Sequence, residues 1–387
     1  MNLFDVYPLV DITPVRALGA QLWDDKGQEY LDFYGGHAVI SIGHSHPHYV
    51  QRLTEQLNNI GFYSNSVKIP IQQELAHKLG QVSGYEDYAL FLCNSGAEAN
   101  ENALKLASFH TGKKRVVAFK GGFHGRTSGA VAATDNPKIV APFNAGHAIS
   151  FVEYDLKAVA EVLRGGDVCA VIIEPIQGVG GIIMPCDDFL QGLSLLCGAH
   201  NVLLIADEVQ SGYGRSGKFF AHQHAGIRPD IISVAKGMGN GFPIGGILIA
   251  PQYKASYGLL GTTFGGNHLA CAAALAVLEV IENEDLLAHA TAMGDHLRTE
   301  LLAHAGALEI RGRGLMVGIK YDFPIKEIRD KLLSEFHIFV GNASDPTVLR
   351  LLPPLNITKA EVDRFLGALY TLTGKPAEAV QPASVLD

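Results

Sequence analysis

Two short apolar runs, each closed by a charged residue, constrain this chain more than anything else in it. Val202 to Ala206 (VLLIA) ends on Asp207, and Ile231 to Ala235 (IISVA) ends on Lys236. Runs of about four to eight aliphatic residues bounded by turn signals read as strands buried on both faces, as in a parallel sheet. In such sheets ligands bind just beyond the carboxyl ends of the strands, so Asp207 and Lys236 are expected to meet there. The surrounding pattern supports a sheet of this kind. From Tyr88 to Ala250 apolar runs alternate with helical ones: YALFLC before NSGAEANENALKLASFH, RVVAF before KGGFHGRTSGAVAAT, and CAVIIEPI before DFLQGLSLLCGAH. Strands interleaved with helices give right-handed crossovers and a mostly parallel sheet covered on both faces, an α/β architecture.

The Asp207 and Lys236 pair admits two readings. It is an ordinary ion pair at a sheet rim, or it is half of a pyridoxal phosphate site. In the second case the lysine forms a Schiff base and the aspartate keeps the pyridine nitrogen protonated.

Outside that core, residues 1 to about 40 carry short alternating runs around the turn signal DDKG, which predicts a small antiparallel piece apart from the main sheet. GGHAVISIGHSHPHYV follows, turn-rich, with His37, His44, His46 and His48; glycines, a proline and the absence of nearby Cys or carboxylates favour a loop over a metal site, and no metal is expected. Two long helices are predicted from about Ala270, then a smaller α+β unit. The expected division is 1–40 joining the small domain, 41–285 as the large domain, 286–374 as the small one, and a loose tail over 375–387. No internal repeat is evident.

Composition excludes several classes. The net charge of −9 and the lack of any Lys/Arg-rich run argue against nucleic acid as a partner. No unbroken apolar stretch is long enough to span a membrane, and the first residues lack a signal-peptide pattern. The 5 cysteines are odd in number and form no C-x-x-C pair, which suits free thiols in a reducing cytoplasm.

Two loops at predicted strand ends carry further chemistry. Asn94-Ser95-Gly96-Ala97-Glu98 opens a helix with small residues, which suits either a phosphate cradle or a plain tight turn. Gly121-Gly122-Phe123-His124-Gly125-Arg126 offers an aromatic ring for a planar cofactor and an arginine for a carboxylate, or else core packing and a surface charge.

Taken together, LLIADEVQSGYGRSGKFFA, PDIISVAKGMGNGFPIG, NSGAEANENALKLA, GGFHGRT, EPIQG and TTFGGNHLA resemble the class III aminotransferases of the fold-type I pyridoxal phosphate enzymes, and within them the acetylornithine/ornithine group. The resemblance runs from LGAQLWDDKGQEYLDFYGG to VLRLLPPLNIT. It implies a large domain with a mostly parallel seven-stranded sheet and a smaller α+β domain from both termini. It implies Lys236 as the Schiff-base lysine and Asp207 as the partner of the pyridine nitrogen. Val209 and Phe123 would sandwich the ring, and Gln210 would bond its hydroxyl oxygen. Ser95, Gly96 and Ala97 would cradle the phosphate, with Thr263 completing the phosphate site of a neighbouring subunit, so that the enzyme works as a homodimer. Thr262 and His124 are also expected at the cofactor, and Glu174 beside it as an orienting residue. Arg350 would take the α-carboxylate of 2-oxoglutarate. Arg126 would take the acylornithine α-carboxylate, or the distal carboxylate of 2-oxoglutarate. The implied reaction moves the terminal amine of an N-acylornithine to 2-oxoglutarate, as in arginine biosynthesis or, with roles reversed, arginine catabolism.

Two positions depart from the pattern. Val179 stands where relatives carry a glutamate (EP-x-QGEGG), and His37 stands in GGHAV where acetylornithine enzymes carry an aliphatic residue. Both changes move the pocket toward positive charge, which motivates N-succinylornithine as an alternative substrate. Other ω-amine donors, free ornithine or 4-aminobutyrate, use the same cofactor residues, as does an intramolecular aminomutase; Arg350 favours a two-substrate transaminase. A non-catalytic protein on this fold would be expected to lack Lys236 or Asp207. A nicotinamide-binding fold is excluded because no G-x-G-x-x-G follows the first strand of the sheet.

Overall fold

The computed structural model describes residues 1–303 and 306–374; the tail expected over 375–387 lies outside the described residues. The central sheet has seven strands in the order Ala89–Cys93, Gly245–Ile249, Ile231–Val234, Leu203–Asp207, Val168–Ile173, Arg115–Phe119, Ile149–Val152. All neighbouring pairs are parallel except those made by Gly245–Ile249, which is antiparallel on both sides. The reason is local. Only a single turn, Lys236–Met238, and a short loop separate it from Ile231–Val234, and a parallel return needs a crossover of about a dozen residues.

One face of the sheet is covered by the helix Gly96–Thr111 through Ala99, Ala103, Leu104 and Ala107. The other is covered by Leu156–Leu163 and Asp187–His200, packed on Val117, Phe119, Val171 and Ile173. Val168–Ile173 and Leu203–Asp207 are buried along their whole length, as continuous apolar runs require.

The N-terminal piece is a sheet of its own. Pro14–Leu18, Gln21–Asp24 and Glu29–Asp32 pair antiparallel, and Ile338–Phe339 adds in parallel from the other end of the chain. The predicted DDKG turn closes on Asp24, whose Oδ1 accepts from the backbone of Lys26 and Gln28. A third sheet runs Glu309–Arg313, Met316–Lys320, Val348–Leu351, Gly341–Asn342, with all pairs antiparallel. The two long helices are His268–Asn283 and Leu286–Leu302; the first is rich in alanine and buried nearly all round. It packs against Pro47–Asn59 and Pro70–Ser83.

The histidine-rich stretch is partly helical: Pro47 takes the first helical position, so His48 sits on a helix and not in the expected loop. His44, His46 and His48 each face a different carboxylate, Asp32, Glu284 and Glu279. Arg215, 2% exposed, donates to the carbonyls of Ile40, Leu315 and Pro353 and so ties three segments distant in sequence together. No described helix is long and apolar enough to cross a membrane.

Candidate active site

Five strand ends open on one cavity of about 440 Å³. Asn94 to Ala97 follow the first strand, Phe123 to Arg126 follow Arg115–Phe119, and Glu174 follows Val168–Ile173. Asp207 and Lys236 line it from the ends of Leu203–Asp207 and Ile231–Val234. Val179, Val209 and Gln210 line it as well, so twelve of the predicted site residues share one space.

The four others lie elsewhere. Arg350 and His37 lie beyond the lining and reach it through Gln210, whose Nε2 donates to the His37 carbonyl at 3.2 Å and whose Oε1 accepts from Arg350 Nη1 at 3.4 Å. Thr262 stands behind Asn94, accepting from its amide at 3.3 Å. Thr263 is exposed and outside the cavity of its own chain.

Asp207 is 3% exposed and closely held. Its Oδ2 lies 2.7 Å from His124 Nδ1 and accepts from Asn100 Nδ2 at 2.7 Å, while Oδ1 accepts from the backbone of Val209 at 3.1 Å. Ser233 then donates to Asn100 Oδ1 at 2.6 Å. Burial works against a charged His124, but the hydrogen bond and charge of Asp207, with Glu174 nearby, hold its pKa above the usual histidine value.

Sequence reasoning missed Asn100 and Ser233. The available signal was a polar residue inside the buried stripe of a helix, since Asn100 sits among Ala99, Ala103 and Leu104.

Lys236 occupies a left-handed backbone conformation, φ 46°, unusual for a lysine and a sign of strain at a functional position. Burial lowers its pKa, Asp207 and Glu174 resist, and Arg350 adds to the lowering. Glu174 accepts from the backbone of Phe123 at 2.8 Å and of Gly178 at 3.1 Å, clamping two cavity loops together. Burial pushes its pKa up to about 7 against the charge of His124, with Asp207 adding to the rise. His37 is held below the usual histidine value by desolvation, Arg350 and Lys236. Its charged form is therefore disfavoured, which works against the shift toward positive charge expected of this titratable ring.

The Ser95–Ala97 end of the cavity has a form suited to an anion. Ser95 caps the helix Gly96–Thr111, its Oγ accepting from Glu98 at 3.2 Å, while Glu98 reaches back to the backbone of Asn94 at 2.9 Å. The next N–H groups, of Gly96 and Ala97, begin the helix and have no partner within it. Gly96 is required here: a Cβ would lie 2.6 Å from Val209 Cγ1. A planar, phosphorylated, basic heterocycle fits these residues, with an amine, a buried carboxylate and a helix N-terminus around one cavity of suitable size.

The family model for class-III aminotransferases matches residues 5–372. The chain belongs to the class-III aminotransferases.

The acetylornithine aminotransferase of Bacillus subtilis is 40% identical over 377 residues, 95% of this chain and 96% of the relative. That of Streptomyces coelicolor is 41% identical over 384 residues, 97% and 94% of the two chains. Among solved structures, the ornithine aminotransferase of Toxoplasma gondii superposes with a TM-score of 0.88 at 29% identity, covering 94% of this chain and 92% of that one. A second structure of that enzyme is described as having partial occupancy of PLP at its active site. This aminotransferase therefore has the fold-type I architecture and uses pyridoxal 5′-phosphate.

Proposed function

We propose that this aminotransferase moves the terminal amino group of an N-acylornithine, N-acetylornithine first, to 2-oxoglutarate, giving an N-acylglutamate 5-semialdehyde and glutamate. The carrying observation is that Lys236 and Asp207 share a cavity with Arg126, while Arg350 stands behind it. Neither arginine has a carboxylate within 4.0 Å among the described residues. Two unneutralised guanidinium groups suit carboxylated substrates, which they bind bidentately. Support comes also from the full-length likeness to acetylornithine aminotransferases.

When bound, the cofactor supplies an aldehyde that takes up the amine and a ring that accepts electron density. The chain's residues do the rest in this reading. Lys236 Nζ, its pKa lowered, takes the proton from the carbon bearing the substrate amine. Asp207, fixed by His124 and Asn100, holds a proton on the ring nitrogen. Phe123 and Val209 lie against the ring, and Ser95, Gly96 and Ala97 hold the phosphate. Gln210 serves the ring hydroxyl, and Glu174 fixes the loops that carry Phe123 and Gly178. Arg126 and Arg350 take the substrate carboxylates.

The active unit in this reading is a homodimer, with Thr263 serving the phosphate site of the second copy. The exposed Thr263 adjoins Phe264, whose ring lies 5.4 Å from that of Phe62; both rings are exposed, a patch suited to a second copy. We assign 41–285 to the cofactor-binding domain and 286–374, with 1–40, to the smaller one. The free state of all five cysteines suits a reducing cytoplasm, and the reaction suits arginine biosynthesis.

One observation favours a second reading, N-succinylornithine as donor. Val179 leaves Arg350 without a carboxylate, and an acyl group bearing its own carboxylate would meet a more positive pocket. A steady-state panel with 2-oxoglutarate tests both. The proposal expects kcat/KM for an acylornithine to exceed that for ornithine and 4-aminobutyrate by about tenfold or more, since one well-placed contact is worth roughly 1.4 kcal/mol. A preference for 4-aminobutyrate or free ornithine would refute it, and the ratio of acetyl to succinyl values decides the acyl group.

A further inference from the structure

Arg350 is 3% exposed, and a buried guanidinium needs partners. It finds only neutral ones. Its Nε donates to the Asn342 carbonyl and its Nη1 to Gln210 Oε1 at 3.4 Å. The same glutamine is anchored at its other end, Nε2 donating to the His37 carbonyl at 3.2 Å. This posture depends on Gly178, where a Cβ would lie 1.5 Å from Gln210 Oε1 and displace it. The neighbouring side chain, Val179, offers no acceptor.

We propose that Gln210 is a neutral placeholder on Arg350. Its amide oxygen occupies the guanidinium while no dicarboxylate is bound, and it yields when a substrate carboxylate arrives. The inference rests on the reading of Arg350 as the dicarboxylate-binding arginine. The exchange is favourable because a carboxylate accepts from a guanidinium about twice as strongly as a neutral amide does, and with two oxygens at once. It is cheap because the outgoing group carries no charge. A fixed glutamate on Arg350 would compete with the substrate as an equal; Gln210 does not. Gln210 thereby sets the affinity for the dicarboxylate, and Gly178 makes the posture possible.

The test is binding of glutarate, a dicarboxylate that carries no oxo group, to the cofactor-loaded enzyme, read by calorimetry and as competitive inhibition against 2-oxoglutarate. Gln210→Glu puts a permanent charge on Arg350, and the glutarate constant is expected to weaken about tenfold or more. Gly178→Ala pushes the amide away, and the constant is expected to tighten about two- to fivefold. General damage to the site would weaken both variants, so opposite movements are the signature of the placeholder. Arg350→Lys serves as the reference. If it leaves glutarate binding unchanged, the reading of Arg350 itself fails. If it weakens binding while Gln210→Glu and Gly178→Ala stay within about twofold of the parent, or move together, the placeholder is overturned and the reading of Arg350 stands.

Discussion

The cavity has two ends built in opposite ways. At Asp207 every oxygen is accounted for: His124, Asn100 and the Val209 backbone converge on one carboxylate, and Ser233 fixes Asn100 from behind. At Arg350 a buried cation is met by a carbonyl and one long amide contact, and Arg126 stands exposed with no ion pair among the described residues. The first end is finished before any small molecule arrives, and the second is left for substrate to finish. An invariant cofactor repays such preorganisation, because nothing has to reorganise when charge moves. Two different carboxylated substrates need an end that exchanges partners.

Variants at the finished end should therefore act on the reaction itself. Lys236→Ala removes the group proposed to move the proton, and turnover is expected to fall by at least about 10³-fold, at the upper part of the range for acid–base groups, with the fold retained by circular dichroism. Survival of more than a tenth of the activity would take Lys236 out of its assigned role. Arg126→Ala at the open end is expected to raise KM for the amine donor by about 10- to 100-fold while kcat changes less, the pattern of lost carboxylate binding. A fall confined to kcat would make the two ends alike and break the contrast. Asn100→Ala leaves Asp207 Oδ2 with one donor fewer. It is expected to cost about 1–3 kcal/mol in denaturant unfolding and to weaken cofactor retention on dialysis. A variant as stable as the parent would mean that Asn100 is not part of the support.

The last expected effect, similar in size, is in the pH dependence of stability. Glu174 has its folded pKa raised from 4.5 to about 7, so between those values the folded state binds more protons than the unfolded one and stability falls as pH rises. His124, also raised, has the same sign. Glu174→Gln is expected to flatten the stability profile of the cofactor-free protein between about pH 5 and 8 by roughly 1–3 kcal/mol. An unchanged slope would place the titration elsewhere.

How much of this was legible in the sequence follows the same division. Asp207 and Lys236 could be read because each ends a continuous apolar run, and a strand end in a parallel sheet fixes where a side chain goes. The DDKG hairpin was legible because its turn chemistry is local. Asn100 was not, since its partner Asp207 is 107 residues away and only the fold brings them together. The antiparallel Gly245–Ile249 was hidden because its apolar run looks like its neighbours', and only the short connection before it betrays the direction. His37 was legible as a titratable ring, but the desolvation and the two cations that disfavour its charged form are visible only in three dimensions. Arg350 came through resemblance, and its neutral partners were visible only in three dimensions.

The most direct test of the whole account uses the cofactor-loaded enzyme with no oxo acid present. N-acetylornithine or N-succinylornithine is added while the cofactor's visible absorbance is followed, and 2-oxoglutarate is added afterwards. The account predicts that the acylornithine bleaches the absorbance in a single turnover and that 2-oxoglutarate restores it, one end of the cavity serving both substrates in turn. Bleaching that 2-oxoglutarate fails to reverse, or no bleaching by either acylornithine, would contradict it.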